Sequence, residues 1–423
     1  MYSQLYKRYV TTLLLAIYLF NQADRNIFAI LMEPIKRALS LSDTQLGFLA
    51  GPALVLLYVT LGVPVARIAD RSHRVNIMSL AIAVWSSIVM LSGTVAKFWQ
   101  LAATRIGVGI GEAGFAAIAQ SVIADYHTAS ERARALSFFM LGIPLGGVLT
   151  YLMGGWINQA YGWRLAFVMA GLPGLLLCLL LKLTVQEPPR DRGSEDSPAS
   201  ELSLASVLQT LWRNPSLRHL AIAQGLVNIT VSCERSWFPA FLSRHHGMAS
   251  GEIGTWLAAV EGIGGGAGIW LGGYLASRYS SNDGEGTQTR VVAVVTLLAI
   301  PLILLSLWCP AKLGTLLFLF PTYVAMMFFL GPLLSLIQSL SPSGARATMV
   351  AVFIFVQVLL GGVIGIQLLG ILSDVITPHL GSAAALRWSM TAVTVFAAWA
   401  AVHFWLAGRS SHAREDPAPA EVM

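Results

Sequence analysis

The sequence predicts an all-α integral membrane protein, with twelve transmembrane helices in two six-helix bundles related by pseudo-two-fold symmetry. Three observations predict it. The 423-residue chain is 56% hydrophobic and 11% charged, with a mean hydropathy of +0.68, whereas a soluble domain carries about 25% charged residues. Apolar segments of ~20 residues, long enough to cross a bilayer, recur along the whole chain. The halves also carry a weak repeat at a spacing of about 210 residues: "ADR" (23–25) with "CER" (233–235), "ARIADR" (66–71) with "GYLASR" (273–278), and "RARA" (132–135) with "GARA" (344–347). Parallel repeats of this kind build two-bundle transporters, with the site at the midplane.

The expected spans are 9–36, 44–67, 74–96, 99–125, 132–160 and 163–185, then 215–243, 251–277, 288–309, 313–340, 346–374 and 385–408. Residues 1–186 thus form the first bundle and 215–408 the second. Between them, 187–214 is charged and rich in Pro and Ser, an aqueous linker with a short amphipathic helix after Glu201. A cytoplasmic tail follows at 409–423. Alternate loops hold most of the basic residues, among them Arg67, Arg71, Arg74, Arg132, Arg134 and Arg346, which places both termini and the linker in the cytoplasm of a cell membrane. That topology accounts for the net charge of +6 without nucleic acid. Cys178, Cys233 and Cys309 lie in separate apolar segments, without metal or disulfide spacing. The first apolar segment contains Asp24 and Arg25, and no cleavable signal is expected.

"RIGVGIGEAGF" (105–115) contains a literal G-x-G-x-x-G. A dinucleotide fingerprint needs a preceding strand and an aqueous crevice. Here the glycines sit in helical membrane text, where small residues let helix backbones approach closely. The charges in that stretch are the informative part. Arg105 and Glu112 are about two turns apart on one helix face. A charge facing lipid at that depth costs ~2.5–3.5 kcal/mol or more, so both face protein or water. The first span adds Asp24 and Arg25 at similar depth. Neighbouring residues point about 100° apart, so one of the two aims at the central cavity. That residue is expected to be Arg25, with Asp24 bracing the bundle or relaying protons.

Burial and a nearby cation act in opposite senses on a carboxyl's proton affinity. A change in the Arg25–Glu112 distance therefore couples protons to conformation. Asp24, Arg25 and Glu112 are the candidate proton-coupling residues. Arg25, Arg105, Glu112, Glu234, Arg235, Trp237 and Tyr323 are the candidate substrate site. A more apolar wall is expected from the second half, which has Thr322 and Tyr323 where Glu112 would map. Glycines and Pro144 in "LGIPLGGVLTYLMGGW" (141–156) point to close packing or a bend in the fifth span. At the cytoplasmic end, a gate is expected from Asp70 near Arg346 at a helix N-terminus, from Arg74 with Asp125, and from Arg71 or Arg134 extending the cluster.

These pieces resemble the major facilitator superfamily: "ARIADRSHR" (66–74) is similar to its loop motif G-x-L-A-D-R-x-G-R, with Ala66 and His73 in place of two glycines. More narrowly, "ADR", "RIGVGIGEAGF", "EPPR" (187–190) and "WFPAFLSRHHGMASGEIG" (237–254) resemble the Spinster branch. The resemblance implies transport of amphipathic lipids such as lysophospholipids or sphingosine phosphate, with proton linkage at Arg25 and Glu112. The expected activity is alternating-access secondary transport of an amphipathic, anionic lipid, with a drug or metabolite exporter as the alternative. A channel or receptor is a further class. There is no ATP-binding text, so a proton gradient is the expected energy source and no cofactor is expected. H-E-x-x-H and G-x-S-x-G are missing, which argues against an enzyme. The expected partners are protons, substrate and membrane lipids, around a monomer.

Overall fold

The computed structural model describes residues 2–70, 72–189, 203–280 and 284–415. Among the described residues, nine helices are long and apolar enough to cross a membrane. Three further long helical runs complete the twelve: Gln4–Leu39, Pro215–His246, and the run from Ser250 to Ser280. These three carry Asp24 and Arg25, Glu234 and Arg235, and Glu261 respectively, the charges that lower their apolarity. Between the sixth and seventh spans, Leu204–Arg213 forms a separate short helix capped by Ser203. Its Val207 is buried, while Leu204, Leu208 and Trp212 are exposed along one face. The last helix, Ser382–Glu415, runs past the expected start of the tail at 409.

Several spans are interrupted rather than continuous. The second divides at Gly51 into Asp43–Ala50 and Pro52–Asp70, and the fifth divides at Leu141 into Ala129–Met140 and Gly142–Tyr161. The fourth is Phe98–Glu112 followed by Phe115–Tyr126. Its break occurs at Gly114, whose φ of 82° is a left-handed conformation that glycine adopts without strain. The eighth and eleventh spans each contain a π-helical stretch, Val260–Gly265 and Val358–Gly365. Such widened turns often mark functional positions.

The glycines of "RIGVGIGEAGF" serve packing. A Cβ on Gly109 would lie 2.2 Å from the Leu54 carbonyl oxygen, and one on Gly111 would lie 2.8 Å from the Trp85 Cβ. The fourth span therefore touches the second and third backbone to backbone. The fifth span uses its glycines the same way. Gly142 and Gly146 press on Tyr18, Leu19 and Gln22 of the first span, and Gly154 presses on Ile27 and Ile30.

By packing, the chain groups into two compact units. The first comprises Met1–Asp196, Arg235–Gly262 and Gly370–Ala383, and the second Ser197–Glu234, Ile263–Leu369 and Ala384–Met423. The first unit holds a buried core of Leu14, Ile17, Ile82, Trp85, Phe115 and Phe139. In the second, Gly268 and Gly272 abut the backbone of Val324 and Phe328.

Gly109→Ala is expected to destabilise the protein by ~1–3 kcal/mol, as overpacking of a tight core does. Gly266→Ala, where an added Cβ meets nothing within 4 Å, is expected to be neutral or slightly stabilising. Thermal unfolding of the two variants in detergent checks the contrast.

Candidate functional site

The first unit contains a cluster of four charges within the membrane. Asp24, Arg105 and Glu112 are buried, at 0%, 1% and 2% exposure. Arg25 Nε lies 4.0 Å from Glu112 Oε2, and its guanidinium sits 3.8 Å from the centroid of the Tyr58 ring. Arg25 is thus held on one side by a carboxylate and on the other by an aromatic face. Tyr18 stands within electrostatic reach of the same guanidinium. Arg105 uses its guanidinium differently. It donates to the carbonyl oxygens of Leu49 and Arg25, at 3.3 Å each, and lies over the Phe28 ring. It thereby ties the fourth span to the first and second.

Glu112 is the last residue of Phe98–Glu112, and the negative end of a helix does not favour a carboxylate. Neither of its oxygens has a hydrogen-bond partner among the described residues, and the same holds for Asp24. The carboxylate charge on Glu112 therefore depends on Arg25, with Arg105 behind it. Asp24 is fully buried and, as the adjacent residue on the helix, leaves the axis about 100° from Arg25.

At the end of the bundle nearer the N-terminus, Arg74 Nη1 donates to Asp125 Oδ2 at 2.6 Å and Arg74 Nε to Glu187 Oε1 at 2.7 Å. Arg74 also reaches Ser121 Oγ at 2.9 Å. The extension of this cluster is Glu187, which additionally accepts from the Val75 N–H, and not Arg134. Arg134 is exposed and lines a cavity beside Arg8 instead. The expectation that Arg134 extends the cluster is not met: among the described residues it makes no hydrogen bond or ion pair with Arg74, Asp125 or Glu187. Arg346 is exposed at the start of Arg346–Gln357. Arg71 and the side chain of Asp70 lie outside the described residues.

The opposite end holds a network that the sequence did not reveal. Arg244 grips both oxygens of Asp43 at 2.8 Å each and donates through Nε to Glu33 at 2.6 Å. Asp43 also accepts from Lys36 at 2.5 Å and from Ser373 at 2.6 Å. Asp374 in turn accepts from the N–H groups of Asp43 and Thr44, at 2.9 and 2.7 Å. A residue of the eleventh span thus caps the first turn of Asp43–Ala50, alongside that helix's own Ser42–Gln45 capping box. Beside this network the fifth and eighth spans approach backbone to backbone. A Cβ on Gly254 would meet the Tyr151 carbonyl at 2.2 Å, and Ser250 Oγ donates to the Gly155 carbonyl at 3.0 Å. The capping box "SDTQ" was readable in the chain. Its partners 200 or more residues away were not.

The candidates from the second half separate. Arg235 does not pair with the adjacent Glu234. Its Nη2 lies 2.7 Å from Glu261 Oε1 in the π-helical turn of the eighth span, opposite Gly147. Glu234 is 1% exposed, and neither of its oxygens has a hydrogen-bond partner among the described residues. Trp237 is fully buried against Gly370. Tyr323 is buried in the second unit. Among the described residues there is no His, Cys, Asp and Glu group able to hold a metal ion.

The Major Facilitator Superfamily model matches residues 14–366. An MFS-type efflux pump of Mycolicibacterium smegmatis is 32% identical over 390 residues, covering 92% of this chain and 89% of that protein. A sphingosine-1-phosphate transporter of Danio rerio is 30% identical over 231 residues, 53% of this chain and 45% of that protein. The crystal structure of a bacterial homologue of the human lysosomal transporter Spinster, inward-facing and unoccupied, superposes with a TM-score of 0.88 at 28% identity, covering 99% of this chain and 100% of that one. With these likenesses added to the intramembrane charge cluster and the helix count, this multi-pass membrane protein is a transporter, not an enzyme, and belongs to the major facilitator superfamily, within its Spinster branch.

Proposed function

We propose that the protein is a proton-coupled secondary transporter of an amphipathic, anionic lipid such as a lysophospholipid or a sphingolipid. The observation that carries this reading is the Arg25–Glu112 pair, 4.0 Å apart, with Glu112 buried at a helix break and Arg25 part-exposed. An anionic headgroup has one strong attractor there, the Arg25 guanidinium, and it competes with Glu112 for it. When the headgroup takes Arg25, Glu112 keeps only Arg105, whose donors go to the Leu49 and Arg25 carbonyls, and neither of its oxygens has a hydrogen-bond partner among the described residues. It then takes up a proton, since an unpaired buried carboxylate is costly. Release of the headgroup restores the pair and expels the proton. The pH gradient supplies the energy and no cofactor is needed. Tyr58, stacked on Arg25, holds the guanidinium where either anion can reach it.

Alternation requires ends that open in turn. The Arg244–Asp43–Glu33 network would hold the far end shut, as in a transporter open toward the cytoplasm, the state in which the bacterial Spinster homologue was solved. The Arg74–Asp125–Glu187 cluster, on the side assigned to the cytoplasm with both termini, would be the counterpart that rearranges.

A second reading, export of drugs or metabolites under the same proton coupling, is supported by the 32% identity to the mycobacterial efflux pump. Uptake into proteoliposomes under an imposed pH gradient, screened over lysolipids and polyaromatic cations, separates the two. Lysolipid accumulation driven by the gradient supports the lipid reading, and transport of the cations alone replaces it.

Two variants test the mechanism. Glu112→Gln is expected to abolish the dependence of transport on the pH gradient while the protein stays folded; retained proton dependence would refute the role of Glu112. Arg244→Gln takes the shared cation from Asp43 and Glu33 but leaves Asp43 with Lys36 and Ser373 and Glu33 with Arg37, so the cost is below the ~3–5 kcal/mol of a buried charge left with no partner. Distance labelling across that end is expected to show a longer or broader distribution than in the unmodified protein. An unchanged distribution removes the network from the gating scheme.

A further inference from the structure

A cavity of about 510 Å³ opens between the first turns of the first and fifth spans. Its walls include Arg8, Thr12, Glu131, Arg134, Ala135 and Phe138. Arg8 and Arg134 are both exposed, and neither has a hydrogen bond or ion pair among the described residues. Every other described basic side chain nearby is engaged. Lys7 pairs with Glu131 at 3.4 Å, Arg74 with Asp125 and Glu187, and Arg132 donates to the carbonyls of Ala124 and His127. Glu131, the acid in the cavity wall, is balanced by Lys7 and also accepts from Gln4 at 3.0 Å. Positive-inside topology explains basic residues in this region. It does not explain why the two uncommitted guanidiniums converge on one cavity.

Depth identifies the occupant. Arg8 lies about 25 Å along the first helix from Arg25, at 1.5 Å per residue. With Arg25 near the midplane of a membrane ~40–45 Å thick including headgroups, Arg8 is level with the phosphate layer. Gly146 packs on Gln22, so Phe138, about 12 Å nearer the surface along its helix, stands at the edge of the hydrocarbon. The cavity therefore offers cations at headgroup depth and an aromatic ring at the beginning of the acyl chains.

We propose that this cavity binds the phosphate headgroup of an anionic lipid from the adjoining leaflet. Arg8 and Arg134 donate to its phosphate oxygens, since guanidinium forks match phosphate, while Ala135 and Phe138 line the start of its acyl chain. Basic pockets between helices on this side of a membrane bind anionic headgroups in this way. The site shares no residue with the Arg25–Glu112 cluster, and it stands whether or not that cluster carries protons.

The test is native mass spectrometry of the full-length protein in detergent, titrated with phosphatidic acid, with phosphatidylcholine and glycerol 3-phosphate as comparison ligands. Phosphatidic acid is expected to bind in preference to phosphatidylcholine. Arg8→Gln combined with Arg134→Gln is expected to weaken it about tenfold or more, the equivalent of ~1.4 kcal/mol. Each single variant is expected to lose part of that affinity, so a poorly folded double variant does not remove the test. Arg213→Gln, on the linker helix, is expected to bind as the unmodified protein does. Unchanged binding in the Arg8 and Arg134 variants, or equal binding of phosphatidylcholine, overturns the proposal. Displacement of phosphatidic acid by equimolar glycerol 3-phosphate also overturns it, in favour of a site for soluble phosphate compounds.

Discussion

A carboxyl inside a bilayer carries charge only if a cation stands beside it, and the cation within ion-pair reach of Glu112 is Arg25. The pair is 4.0 Å apart, with Glu112 at the unfavourable end of a helix and without hydrogen-bond donors among the described residues. The rest of the first unit is arranged so that this contact exists. Arg105 spends its donors on the carbonyls of Arg25 and Leu49, which fixes the backbone carrying Arg25 relative to the helix carrying Glu112. Tyr58 occupies the other face of the guanidinium. A charge held so specifically, in a place where charge is expensive, is the feature around which a transport cycle can be built.

Glycine makes the arrangement possible. Charged side chains can meet in the interior only if the helices bearing them come close, and at Gly109 and Gly111 there is no room for a methyl group. Gly114 contributes in another way. Its left-handed backbone ends one helical segment and starts the next, which leaves Glu112 at a terminus rather than in mid-helix. The fingerprint-like spacing of these glycines is a consequence of the packing contacts and has no bearing on nucleotides.

Charges at the two ends of the first unit follow a shared logic with different partners. At one end a single arginine, Arg74, bridges the third span, the fourth span and the segment after the sixth. At the other, Arg244 bridges the first and second spans, and Asp374 secures the helix start that presents Asp43. In both places a guanidinium fork joins carboxylates from separate parts of the chain, so the contact is directional.

How much of this was legible follows from chain separation. The sequence by itself determined the membrane class, the twelve spans, the short helix after the sixth, and the presence of Asp24, Arg25, Arg105 and Glu112 at one depth, because hydropathy and a 1.5 Å rise per residue are local properties. It also limited the partner of Glu112 on the first span to one of Asp24 and Arg25, since neighbours on a helix diverge by about 100°, and the structure puts Arg25 there. The tertiary structure decided the rest. Arg235 joins Glu261 and not Glu234 because the neighbouring carboxyl leaves the helix in another direction. Glu187, Asp43 and Arg244 became network members only when helices far apart in the chain were packed together. Arg134 faces a cavity with Arg8 for the same reason. Periodicity fixes which depth a side chain occupies, but which charge it meets there is set by helix contacts that no single segment encodes.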